Sequence, residues 1–107
     1  MELSQTGILE VNLENKTESI SIDSDEQIEK IVKALSSHTR RKILHFIQGE
    51  PMDVSNIASS LNMTEANISA QIKKLEDAGL IDCSYSSGDH GVRKISSLKF
   101  NKLVIRF

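Results

Sequence analysis

LNMTEANISAQIKKLEDAGL, residues 61–80, decides how the rest of the chain is read. Thr64 stands just before a periodic run, where its hydroxyl can accept from an orphan backbone N–H at a helix start. Glu65 adds negative charge to the first turn, as the helix dipole favours. Ile68, Ile72 and Leu75 recur at i, i+4 and i+7 and therefore share one face. Gly79 suits the left-handed residue that ends a helix. The face left over carries Ala66, Asn67, Ser69, Ala70, Gln71, Lys73 and Lys74. It has amide and hydroxyl tips, two cations and no large apolar group. Amides and hydroxyls read base edges, and lysines neutralise phosphate. The same pattern also describes an ordinary solvated face, so the flanking segments must decide.

Upstream, Asp53 can cap a short helix whose stripe is Val54, Ile57, Ala58 and Leu61, with only Asn62-Met63 before Thr64. Two short helices across a tight turn make a helix-turn-helix. Two further helices precede it. Ser24 and Gln27 have the spacing of a capping box, followed by Ile28, Ile31, Val32 and Leu35 as a stripe. After Ser36-Ser37, a helix from about His38 to Gln48 carries Ile43, Leu44 and Ile47, and Gly49 with Pro51 stops it. Downstream of Gly79 the period changes to two. Ile81, Cys83 and Tyr85 alternate with Asp82 and Ser84, residues 86–91 form a polar loop tip, and residues 92–98 return as a partner strand. A hairpin directly after a candidate recognition helix is the layout of a wing. The expected fold is therefore α+β, mainly α: a winged helix-turn-helix over residues 24–100.

Two segments flank that unit. Residues 1–23 form an acidic arm, expected as a hairpin with Leu9, Val11 and Leu13 on one face, Ile20 and Ile22 on another, and Asn15-Lys16 at the turn. A lone hairpin is marginal in water, so it must pack on the domain, pair with the C-terminus or pair with another copy. KLVIRF, residues 102–107, is an apolar strand that breaks off mid-pattern. It suits either the head of a longer protein or a small protein that dimerises through its strands.

The totals agree with a soluble domain of 107 residues large enough for its own core. No run reaches the ~18–20 apolar residues of a membrane span. Neither a signal-peptide pattern nor a second cysteine accompanies Cys83, so the expected compartment is the cytoplasm. The net charge of −2 hides an asymmetry. Residues 1–29 hold eight acids and one base, giving −7, whereas residues 30–107 hold twelve bases and seven acids, giving +5. Basic surface is the electrostatic footprint of phosphate binding.

The residues also resemble a known family. ALSSHTRRKILHFI (residues 34–47) looks like the opening of ArsR-type regulators, with its AL…TR…IL pattern. VSNIASSLNMTEANISAQIKKLEDAGLI (residues 54–81) resembles their helix-turn-helix, with Leu61, Ser69, Ile72, Leu75, Ala78, Gly79 and Leu80 at matching places. GVRKISSLKF (residues 91–100) is similar to the return strand of their wing. The resemblance implies a DNA-binding transcriptional regulator that acts as a homodimer. It makes Thr64, Glu65, Asn67, Ser69 and Gln71 candidate base readers and Lys73 and Lys74 phosphate contacts. His90, Arg93 and Lys94 would reach DNA from the wing. Gln or Asn can pair bidentately with adenine, and Glu65 could accept from cytosine or serve only as a first-turn anion. Ser69 could instead bond back within its helix, and His90 could be a plain loop residue.

Departures from the family matter as much. The third helix, VSNIASSL, has no Cys or His, and a strand replaces the final dimerising helix whose Asp/His ligands hold metal in relatives. That points away from metal sensing. His38 and His45 lie two turns apart, too far to share an ion without outside ligands. Arg40, at the family's TR position, is expected to pack or pair, while Arg41 and Lys42 could touch flanking phosphate. Cys83 is expected at a half-buried strand position. No phosphate loop, nucleophile elbow, HExxH or paired-Cys motif is present, so no enzyme, cofactor or metal is expected. The rival to DNA regulation is a protein-interaction module working through the acidic arm and the terminal strands.

Overall fold

The computed structural model describes residues 9–88 and 91–107. Strands β1 (Glu10–Glu14) and β2 (Ser19–Ile22) come first, then helices α1 (Asp25–Leu35) and α2 (His38–Ile47). A two-residue strand β3 (Met52–Asp53) leads into α3 (Val54–Leu61) and α4 (Glu65–Asp77). Strands β4 (Ile81–Gly88), β5 (Gly91–Leu98) and β6 (Lys102–Arg106) close the chain. The helices, helix-turn-helix and β4–β5 hairpin have the order of a winged helix.

Each helix starts where a side chain can take an orphan N–H. Ser24, Ser37, Asp53 and Thr64 all accept from the backbone three residues on. The second leg of the expected capping box does not form. Gln27 donates instead to the Ala78 carbonyl at 2.7 Å, tying α1 to the end of α4. The buried stripe of α1 also differs from the one expected. Ile31 and Ala34 face the core at 1% and 3% exposure, whereas Val32, expected inside, is 50% exposed.

Ile31, Ile43, Ile47, Ile57, Ile68, Ile72, Leu75 and Ile81 make the centre of one core. Burying each such side chain contributes ~1.5–3 kcal/mol. Between α3 and α4, Asn62 takes the left-handed conformation at φ 55°, and its N–H and that of Met63 return to the Ser59 and Ala58 carbonyls. Asn tolerates that geometry better than other residues with a Cβ. At the other end of α4, Gly79 has φ +80° and donates to Glu76, while Leu80 donates to Leu75. Those are the two bonds of a Schellman stop.

The strands form two antiparallel sheets, ordered β2-β1-β6 and β3-β5-β4. Of the three partners open to the N-terminal hairpin, it takes the C-terminal strand: Val11 faces Ile105 and Leu13 faces Leu103. The side chains of Leu13, Ile22 and Leu103 pack on the core from this sheet. In the wing, Ile81 is buried and Cys83 half-buried, but Tyr85 and Val92 are 69% and 70% exposed. The alternation continues past the edge of the body, so among the described residues its outer apolar members are left uncovered. The short β3, which pairs Met52 with Ser96 and Asp53 with Ile95, was not foreseen.

Candidate nucleic-acid interface

Helix α4 buries Ile68, Ile72 and Leu75 completely and turns its opposite side outward. Glu65, Ala66, Ser69, Ala70, Lys73 and Lys74 are exposed, and Asn67 and Gln71 are half-exposed at the margin of that face. The structure thus brings seven of the ten expected contact residues together, from Thr64 to Lys74, on one helix. The Thr64 hydroxyl is the cap itself, accepting from Asn67 N–H at 3.1 Å. Lys73 Nζ lies 3.8 Å from Asp77, in a pair whose side chains are 73% and 57% exposed. Such a solvated pair is worth little and yields readily to phosphate.

The marginal amides are linked to α2. Arg40 Nη1 donates to Gln71 Oε1 at 2.7 Å, and Gln71 Nε2 donates to Asn67 Oδ1 at 3.1 Å. The same guanidinium donates to the carbonyls of Ala34 and Lys33. Arg41 donates to the Leu35 carbonyl at 2.8 Å. Both arginines therefore close the C-terminal end of α1, where the dipole favours cations. Beside them, a cleft of about 340 Å³ between α1 and α4 is lined by Lys30, Lys33, Arg40 and Lys74, with Asp77 and Ala78. Lys30 and Lys33 were not among the expected contacts. Their signal in the sequence was only two bases on the exposed side of a first helix, which carries no information until α1 is placed beside α4.

The wing cations are held to the body. Arg93 pairs with Asp53 through Nε, at 2.7 Å, and through Nη2. Asp53 is 6% exposed and also caps α3, accepting from Asn56 N–H at 2.7 Å. That backbone bond, and then Arg93, hold its carboxyl below the ordinary value despite its burial. Lys94 Nζ lies 3.6 Å from Glu76, with its side chain 22% exposed. Arg93 and Lys94 thus fasten β5 to α3 and α4. His90, the third expected wing contact, lies outside the described residues.

Cys83 sits 3.5 Å from the Ser96 hydroxyl, and burial pushes its thiol above the usual range. A raised thiol is a poor nucleophile and a poor redox sensor. Among the described residues no three His, Cys, Asp or Glu groups gather to hold a metal ion, and no helix is long and apolar enough to cross a membrane.

Comparison with known proteins gives this arrangement a family. Residues 37–82 match the family described as "Bacterial regulatory protein, arsR family". An uncharacterized HTH-type transcriptional regulator of Methanocaldococcus jannaschii is 34% identical over 53 residues, half of this chain, and the match spans 56% of that relative's length. The solution structure of a homodimeric winged helix-turn-helix DNA-binding domain from Mycobacterium bovis, described as a possible ArsR-family regulator, superposes with a TM-score of 0.61 at 25% identity. That match covers 68% of this chain and 64% of the other. A crystal structure of an ArsR family transcriptional regulator superposes with a TM-score of 0.59 at 30% identity, covering 68% of this chain and 76% of that one. With the family match and the 30% identical regulator covered over 76% of its length, the chain belongs to the ArsR family, whose members here are transcriptional regulators rather than enzymes.

Proposed function

We propose that the chain is a sequence-specific DNA-binding regulator that lays α4 in the major groove and works as a homodimer. The observation that carries this is the outer face of α4. Over three turns it presents small, polar and cationic side chains with a single acid, Glu65, in the first turn, while its inner face is wholly buried. A recognition helix enters the groove with its N-terminal part, which places Glu65, Asn67 and Ser69 nearest the bases. Lys73 and Lys74 lie further along, with Lys30 and Lys33 across the cleft, where flanking phosphates would run. The wing, fastened by Arg93 and Lys94, supports the body more than it contributes free charge.

The homodimer follows the state described for the Mycobacterium bovis domain. Two such helices would meet half-sites about one helical turn, ~34 Å, apart. The test is selection from random duplexes followed by titration at several salt concentrations. A pseudo-palindromic site is expected. Lys73→Ala and Lys74→Ala should each weaken all duplexes alike and reduce the salt slope by about one. Failure to retain any duplex at low salt, with capture of a protein partner through the terminal sheet, would favour the interaction-module reading instead.

A further inference from the structure

The two amides on the recognition face are not free rotors. Arg40 is fixed on three acceptors at once, the Ala34 carbonyl at 2.7 Å, the Lys33 carbonyl at 2.9 Å and Gln71 Oε1 at 2.7 Å. Its planar fork holds direction in a way an ammonium would not. Gln71 passes that direction on, donating Nε2 to Asn67 Oδ1. The polarity of the relay determines what is left for a ligand. Each side-chain amide has one carbonyl acceptor and two N–H donors. Both carbonyls already accept a bond, that of Gln71 from a cation, which leaves each oxygen one lone pair. Against those two partly occupied acceptors, one N–H of Gln71 and both of Asn67 remain, so donors outnumber acceptors on this edge.

Bidentate pairing with adenine needs an acceptor and a donor from the same amide. Gln71 has its acceptor turned toward Arg40, so an incoming base N–H₂ would have to approach an oxygen beside a guanidinium. Base acceptors meet no such obstacle.

We propose that Arg40 is a positioning residue for specificity: through Gln71 it makes the Asn67–Gln71 edge donor-rich. The positions read by that edge then favour guanine, with its two acceptors N7 and O6, or thymine, with O4, over adenine, whose single acceptor N7 stands beside an N–H₂ donor, and over cytosine, which presents only N–H₂ in the major groove. This rests on α4 being the reading helix, and it displaces the adenine pairing expected from Gln71 alone.

The experiment is random-duplex selection with the full chain, comparing wild type, Arg40→Met, Arg40→Lys and Gln71→Leu, with folding checked by circular dichroism. Wild type should prefer guanine or thymine by roughly tenfold at one or two adjacent positions per half-site. Arg40→Met frees Gln71 to turn, and adenine should rise at that position to equal or exceed guanine. Arg40→Lys should fall between. Arg40 also holds the end of α1. If Arg40→Met does not fold, Gln71→Leu carries the test, by losing the preference at that position alone. Selection of adenine or cytosine there by wild type overturns the relay while leaving α4 as the reading helix. So does an unchanged base profile in a folded Arg40→Met or Gln71→Leu variant. Failure of wild type to select any duplex overturns the reading helix and the relay together.

Discussion

Asp53 offers the sharpest test of how the wing is held to the helix-turn-helix. One carboxylate oxygen caps α3 and the other takes Arg93, while the group is only 6% exposed. Asp53→Ala removes a cap, costing about 1 kcal/mol, and breaks the pair. The charge left behind is Arg93, whose side chain is 56% exposed, so that part is held to about 0–1 kcal/mol by solvent screening. The total is about 1–2 kcal/mol. Arg93→Ala leaves the buried partner instead. Its carboxylate keeps only the Asn56 N–H bond, and the cost should approach about 2–3 kcal/mol, at or below the range for fully buried pairs. Removing the more exposed partner is thus predicted to cost at least as much as removing the buried one.

The pH dependence of the same pair has a definite sign. Asp53 is held below its ordinary value of 3.8, so its contribution is complete above that value and is lost as pH falls through the lower, folded one. Urea unfolding followed by circular dichroism, for wild type and Asp53→Asn, should show a gap at neutral pH that narrows as the pH is taken well below 3.8. A gap that stays constant into strong acid, or no gap at neutral pH, would refute the clamp.

Two further outcomes follow from the geometry. Gly79→Ala has room for a methyl, since its nearest neighbour is Gln27 Nε2 at 3.6 Å, but φ is +80°. The strain should cost about 1–2 kcal/mol, readable as a lower Tm with α4 otherwise intact. The Cys83 thiol, raised by burial, should react with a disulfide reagent more slowly in the folded chain than in urea at the same mildly alkaline pH.

Local grammar was the legible part of the sequence. Asp53 and Thr64 announce helix starts because their oxygens lie three residues from the N–H they accept, and Gly79 announces a stop because few other residues take its φ. The exposed face of α4 was legible for the same reason: a 3.6-residue period assigns each position a side. What stayed hidden was set by partners distant in the chain. Val32 and Ala34 compete for the core side of α1, and the side that wins is the one that packs on α4, where Gln27 bonds to Ala78, 51 residues away. Gln71 looked like a free reader, and Arg93 like a free wing cation, because Arg40 and Asp53 lie 31 and 40 residues away. The two residues of β3 are too few for any periodicity.

DNA binding by the outer face of α4 can be tested in one titration. Fluorescence anisotropy on a selected duplex would compare wild type with the folded quadruple variant Asn67→Ala, Gln71→Ala, Lys73→Ala, Lys74→Ala. The variant should lose at least tenfold in affinity, given ~1–3 kcal/mol for each good base contact, and show a salt slope shallower by about two. Equal affinity and an equal slope in the two proteins would contradict binding through this face.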